Sequence, residues 1–152
     1  MNEKTERERL IHLARTCAGI NLRRASRTIT NYYDRLFNAA IDLRATQIHP
    51  LVVLYLAGPQ TINEIADKLK LDRTTLTRNL RPLEERGLIT IQPGADLRTH
   101  VAVLTERGKN TLLAVLPVWE EAQANVVQGI GADRFQTLLD SLADIGASIK
   151  EE

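Results

Sequence analysis

Between Thr61 and Glu85 two helical patterns stand almost end to end, and the gap between them limits what the chain can build. "TINEIADKLK" opens with Thr61 and Glu64 at capping-box spacing, where each side chain can meet the other's backbone N–H, and it sets Ile62, Ile65, Ala66 and Leu69 on one side. Leu71 and Asp72 leave room only for a tight turn, and the Asp72 carboxylate suits the N-cap of the helix that follows. Two short helices joined so briefly make a helix-turn-helix.

The second of these helices, in "LDRTTLTRNLRPLEERGLIT", has two chemistries. With Leu76 at 0° and a turn of about 100° per residue, Leu80 falls near 40° and Leu83 near −20°, whereas Thr77, Arg81, Thr74 and Arg78 fall between about 100° and 200°. The leucines form the inward stripe. The outward face, with Arg73, Thr74, Thr75, Thr77, Arg78 and Arg81 as candidate contacts, offers guanidinium forks for phosphate or the guanine edge and short hydroxyls for phosphates and bases. Such a face fits the major groove of double-stranded DNA. Glu84 and Glu85 come at the far end, where a helix entering by its N-terminus would have left the duplex. Pro82 lacks an N–H for the Arg78 carbonyl, so a slight kink or loosened turn is expected there.

Around this module the pattern is helical except in one place. The stretch from Met1 to His49 has no proline and one glycine, with Leu22, Ala25, Ile29, Tyr32, Leu36, Ala40 and Leu43 stepping by three and four, which predicts one long helix. Thr46 to Ala57 continues the pattern with Ile48, Leu51, Val52, Tyr55 and Leu56, Pro50 being tolerable in a first turn. "LITIQ" and "THVAVL", separated by "PGADLR", predict a hairpin with a long tip. Thr105 to about Gly129, and Asp133 to about Lys150 with Phe135, Leu138, Leu142, Ile145 and Ile149, predict two more helices. The outer helices carry more apolar stripe than a small central module can cover, so a homodimer built from both chain ends is expected.

Length suits one domain, and bulk charge decides nothing, since 20 Lys and Arg face 19 Asp and Glu. Distribution says more. Arg15, Arg23, Arg24 and Arg27 stand in an acid-free stretch, Arg73, Arg78 and Arg81 have no acid between them, and from Lys109 to Glu152 three cations face seven acids. A basic front and an acidic tail suit a protein that meets a polyanion with one surface. The single cysteine, Cys17, fits a reducing compartment, no apolar run is long enough to span a membrane, and "MNEKTERERL" is charged where a signal peptide is apolar, so a cytoplasmic protein is expected. His12, His49 and His100 are far apart with no cysteine or acid at ligand spacing, which predicts no metal. With no glycine-rich phosphate loop, nucleophile elbow or paired-carboxylate constellation, neither an enzyme nor a cofactor is expected.

At the hairpin tip, "GADLR" offers Asp96 two residues before Arg98, so that the carboxylate could hold the guanidinium in a projecting pose. Arginine on a thin loop suits a narrow minor groove. The order of elements, with "TINEIADKLKLDRTTLTRNLRPLEERGLI" followed by "GADLRTHVAVLTERGK", resembles the MarR (multiple antibiotic resistance regulator) family over nearly the whole chain. Its most specific marks are Asp96 to Arg98 and Leu104-Thr105-Glu106-Arg107-Gly108. The resemblance implies a mainly α fold with a small β-hairpin wing: a winged helix-turn-helix lobe over 46–104, and long terminal helices over 8–45 and 105–152 forming a dimerisation lobe, within one domain over 1–152. It also implies a homodimer with interlocked terminal helices on a pseudo-palindromic operator, and repression relieved by a small molecule or an oxidant.

Two features bear on what might relieve it. Cys17 lies near Arg15, Arg23 and Arg24, cations that favour a reactive thiolate, although a lone cysteine at helical spacing also reads as a small buried hydrophobe. Tyr32, Tyr33, Tyr55 and Trp119 could line a pocket for a small aromatic effector, or belong to the core, as such residues more often do. A winged helix used purely for protein interaction is the alternative to DNA binding, and it leaves the outward arginines unexplained.

Overall fold

The computed structural model describes residues 3–96 and 98–148. In chain order the elements are α1 (Glu3–Thr16), α2 (Ala18–Ile41), α3 (Ala45–Ala57), β1 (Gln60–Thr61), α4 (Ile62–Leu69), α5 (Arg73–Glu85), β2 (Ile89–Pro93), β3 (His100–Leu104), α6 (Glu106–Ile130) and α7 (Ala132–Ser148). The expected continuation of the last helix to Lys150, and Ile149 with it, lies outside the described residues.

The proline-free first third forms two helices where one was expected. Cys17 leaves helical geometry at ψ 115° and begins α2 as its N-cap. Gly19, a weak helix former, follows closely. The Asn21 amide donates to the Arg15 carbonyl at 3.1 Å, and to the Cys17 carbonyl at 2.9 Å, which also accepts the Asn21 N–H at 3.1 Å. α2 then stops at Ile41, and Asp42 turns the chain in a left-handed conformation at φ 54°.

α3 starts one residue before the expected position, with the Asp34 carboxylate of α2 accepting its first N–H, from Ala45, at 2.7 Å. Pro50 is consequently beyond the first turn, buried inside the helix, and the exposed Thr46 loses its i+4 donor. Ile48, Leu51 and Leu54 form the buried face. Val52, Tyr55 and Leu56, expected inward, are exposed, Leu56 at 77%. α3 contributes one stripe to the core, and these three fall on its other side.

The hairpin forms as expected, with β2 and β3 antiparallel and Ile91 opposite Ala102. It gains a third strand that the sequence reading missed: β1 pairs with β3 through Gln60 opposite Ala102 and Thr61 opposite Val101, giving the order β1-β3-β2. Two residues are too few for an alternating pattern to be visible.

One core runs through the chain. Phe37 near the end of α2 and Leu43 just beyond it join Leu51 and Leu54 of α3, Ile65 of α4, the α5 leucines, Ile89, Ala102, and Leu112 and Val115 of α6. The backbones of the sheet and α6 approach closely where they join. Thr105 caps α6, accepting from the Gly108 N–H at 3.0 Å while its hydroxyl lies 2.8 Å from the Gly87 carbonyl oxygen and 3.0 Å from that of Leu88. Its own N–H donates to the Leu88 carbonyl at 3.1 Å. A Cβ on Gly108 would lie 2.0 Å from that same oxygen.

Gly108→Ala should therefore destabilise the fold by about 1–3 kcal/mol or more, since backbone rather than a flexible side chain must move. Gly129→Ala, in the same helix with nothing within 4 Å of its Cβ position, should be neutral or stabilising by about 0.5 kcal/mol. Denaturant melts of the two variants should shift in opposite directions, or Gly108 alone should shift.

Candidate nucleic-acid interface

Both ends of α5 are fixed locally. Asp72 caps the start, its Oδ1 accepting the Thr75 N–H at 2.8 Å and its Oδ2 the Thr75 hydroxyl at 2.6 Å. These bonds favour the ionised carboxylate and hold its pKa below the ordinary value. At the other end the Gly87 N–H donates to the Glu84 carbonyl and the Leu88 N–H to the Leu83 carbonyl, both at 2.9 Å, with Gly87 at φ 66°. This is the glycine-terminated cap in which a positive φ lets the chain reverse. The helix runs unbroken through Pro82.

Leu76, Leu80 and Leu83 are wholly buried, and Arg73, Thr74, Thr77, Arg78 and Arg81 consequently face outward. These five line one open groove of about 440 Å³. The Thr77 hydroxyl donates to the Arg73 carbonyl at 2.8 Å, which leaves its oxygen able to accept.

Three details differ from the sequence reading. Thr75 is half-buried and bonded to Asp72, so it serves the cap where an outward contact was expected. Arg81 is not free of acids: its Nε lies 2.8 Å from Glu85 Oε1, one helical turn on. Both side chains are largely exposed, so the pair is weak and exchangeable. Asp96 binds the Arg98 backbone, accepting its N–H at 3.0 Å, and among the described residues no ion pair joins the two side chains. The carboxylate shapes the loop, and the exposed guanidinium is left to project from it.

The rest of the tip is similarly tied. The Gly94 N–H donates to the Thr99 carbonyl and the Thr99 N–H to the Asp96 carbonyl, both at 2.8 Å. A Cβ on Gly94 would meet the Thr99 hydroxyl at 2.2 Å, which explains glycine at that position. Leu97 lies outside the described residues.

The remaining candidates lie elsewhere. Cys17 is half-buried at the α1–α2 break and contributes nothing to the core, contrary to its reading as a buried hydrophobe. The aromatics do not form one cluster. Tyr33 stacks on Phe37 with centroids 5.5 Å apart and donates to Gln123 Oε1 of α6 at 2.7 Å, and Asn125 donates to the Tyr32 hydroxyl at 3.3 Å. Tyr55 and Trp119 are exposed, so the core reading fails for both. No group of three His, Cys, Asp or Glu among the described residues could hold a metal, and no described helix is long and apolar enough to cross a membrane.

Sequence reasoning passed over Arg86. It follows α5, and its guanidinium reaches the end of α2, where Nη2 donates to the Ile41 carbonyl at 3.1 Å and Nη1 to the Asp42 carbonyl. With Ile41, Arg107, Asn110, Thr111 and Ala114 it lines an open cavity of about 610 Å³. Only its place after a helix of outward arginines marked it, and that pattern points to solvent.

Comparison with known proteins agrees with this geometry. Residues 43–99 match the MarR family model. The transcriptional regulator MosR of M. tuberculosis, solved in complex with DNA, is 33% identical, with a TM-score of 0.77 over 87% of this chain and 95% of that one. The transcriptional repressor CouR bound to a 23-mer DNA duplex is 27% identical, with a TM-score of 0.77 over 88% and 95%. Bound to p-coumaroyl-CoA, CouR is 25% identical, with a TM-score of 0.79 over 90% and 96%.

The two caps make the helix-turn-helix sensitive to acid. Glu64 is held below its ordinary pKa by the Thr61 N–H and hydroxyl, as Asp72 is by Thr75. A carboxylate with a lowered folded-state pKa contributes stability above its unfolded pKa, and that contribution is lost as pH falls through the folded value. Stability should drop as pH falls below the ordinary carboxylate range. In Glu64→Gln/Asp72→Asn, which keeps capping side chains without the titration, melts over the same range should show a shallower drop.

Proposed function

The chain belongs to the MarR family of DNA-binding transcriptional regulators, and on that premise we propose that it is a homodimeric repressor of a pseudo-palindromic operator, released by a small molecule or oxidant. The observation that carries the DNA contact is the groove in which Arg73, Thr74, Thr77, Arg78 and Arg81 stand exposed on the side of α5 opposite its buried leucines. In this reading Arg78 and its neighbours enter a major groove, Thr75 and Asp72 hold the entering end of the helix, and Arg98, presented by the Asp96 turn, enters the adjacent minor groove.

The dimer is supported by apolar surface that a single chain leaves open. α7 has no buried residue, although Leu138, Leu139, Leu142 and Ile145 are each about two-fifths exposed. α1 leaves Leu10, Ile11 and Leu13 open, and α6 leaves Leu113, Leu116 and Trp119. A second copy is the occupant that this reading assigns to these faces. An effector is supported by CouR, whose structures include one with p-coumaroyl-CoA and one with DNA. The cavity beside Arg86 offers an anionic ligand the exposed Arg107 guanidinium at the junction of α2 and α6. Cys17, half-exposed at the helix break, is the residue an oxidant would meet.

Selection of bound duplexes from a random pool should return an inverted repeat, and a pool without symmetry defeats the reading. On the selected operator Arg78→Ala should lose about 1–3 kcal/mol of affinity and relax base preference, whereas Arg98→Ala should weaken all duplexes alike and lower the salt slope by about 1. Independently, Leu138→Glu/Leu142→Glu should run as a monomer in light scattering, where the parent chain runs as a dimer.

A further inference from the structure

Arg86 has two separate roles. Its backbone closes α5, with its N–H 3.1 Å from the Pro82 carbonyl oxygen. Its side chain leaves that helix altogether and binds the last two carbonyls at the end of α2, with Nη1 also 3.9 Å from Asp42 Oδ2. Terminal carbonyls of a helix lack intrahelical donors and carry the negative end of its dipole, so a guanidinium fork suits them in both geometry and charge. The Arg86 side chain is 34% exposed and that of Asp42 83%, so solvent screens the carboxylate and the two carbonyl bonds are the main contact.

The surroundings give this contact leverage. α5 rests on α3, α4 and β2, while α2 rests on α6 and α3. Arg86 thus ties the end of the helix that carries the outward arginines directly to the end of a long outer helix. α5 has 13 residues, roughly 20 Å of helix, and a rotation of roughly 10° about the end next to Arg86 would carry the opposite end by about 3.5 Å, one base-pair rise.

We propose that Arg86 is a positioning residue that sets the angle of α5 against α2, and thereby the half-site spacing that the dimer accepts. The proposal rests on the reading of α5 as the DNA-contacting helix and of the outer helices as the dimer interface. Arg86 itself contacts no DNA. Its effect is on which spacing is read.

The test uses the full-length chain and a set of duplexes carrying the selected operator with its half-sites moved together or apart by one and two base pairs. The parent protein should prefer one spacing sharply. Arg86→Met should bind that duplex about tenfold more weakly, because the angle that fits it is no longer held and a smaller fraction of the protein is binding-competent, while binding the neighbouring spacings as well as the parent does, so that the profile flattens. Arg86→Lys keeps the charge but not the fork, and should flatten the profile by about threefold. If Arg86→Met does not fold, Arg86→Lys carries the test alone. Weakening by one common factor at every spacing, or an unaltered profile in a folded variant, overturns the proposal and leaves Arg86 a stabilising contact. A parent protein that binds no duplex, or all spacings equally, removes the underlying reading and the proposal together.

Discussion

Burial of Leu76, Leu80 and Leu83 fixes the roll of α5 about its own axis, and the exposure of every charged group on that helix depends on it. Each of these side chains is at most 1% exposed, and burying a leucine contributes roughly 1.5–3 kcal/mol. A roll that brought Arg78 inward would expose that surface and strand an unpaired guanidinium in a core that contains no buried polar residue among those described. The exposed Arg81–Glu85 pair is of order 0–1 kcal/mol and cannot compete with the leucines. The helix presents its arginines because the leucines leave no other arrangement.

The same economy of contacts holds the helix-turn-helix to the rest of the molecule. Leu88 is a shared point: its N–H closes α5 on Leu83, its carbonyl receives the Thr105 N–H and lies near the Thr105 hydroxyl, and its side chain is buried. Gly108 brings the backbone of α6 against that carbonyl. The family's Leu-Thr-x-Xaa-Gly mark is thus, in this chain, a packing requirement. Threonine caps the helix and bridges to the strand, and glycine, three residues later, gives the helix room to approach.

What could be read from the sequence was what short-range chemistry decides. The caps by Thr61 and Asp72, the leucine stripe and the hairpin each depend on residues within a few positions of one another, so spacing was sufficient. The misses were long-range or one-sided. β1 exists because β3 lies beside Gln60 and Thr61, some 40 residues on. The break at Cys17 is stabilised by Asn21, an internal helix residue by pattern, reaching back to two carbonyls. Val52, Tyr55 and Leu56 matched an apolar pattern without revealing which side of α3 the core would occupy. Asp96 meets Arg98 through its backbone and not its guanidinium, because a carboxylate two residues before an N–H closes a turn more readily than it reaches a long side chain.

The outer helices follow a different physical logic from the core. Among the described residues α7 meets only α6 to any extent and has nothing buried, so within one chain its apolar stripe gives it little reason to keep its place. Most of a helix's stability in a protein comes from packing of its apolar face rather than from propensity. α2 is intermediate: Phe37 is buried, Tyr33 is pinned to Gln123, and Arg86 holds its final carbonyls, but Ala25, nearer its start, stays open. Anchoring thus strengthens along α2 toward the module that carries α5. In the proposed dimer, a change in how the outer helices meet would pass into α2 where it is free and arrive at Arg86 where it is held, at the end of the helix that presents the arginines.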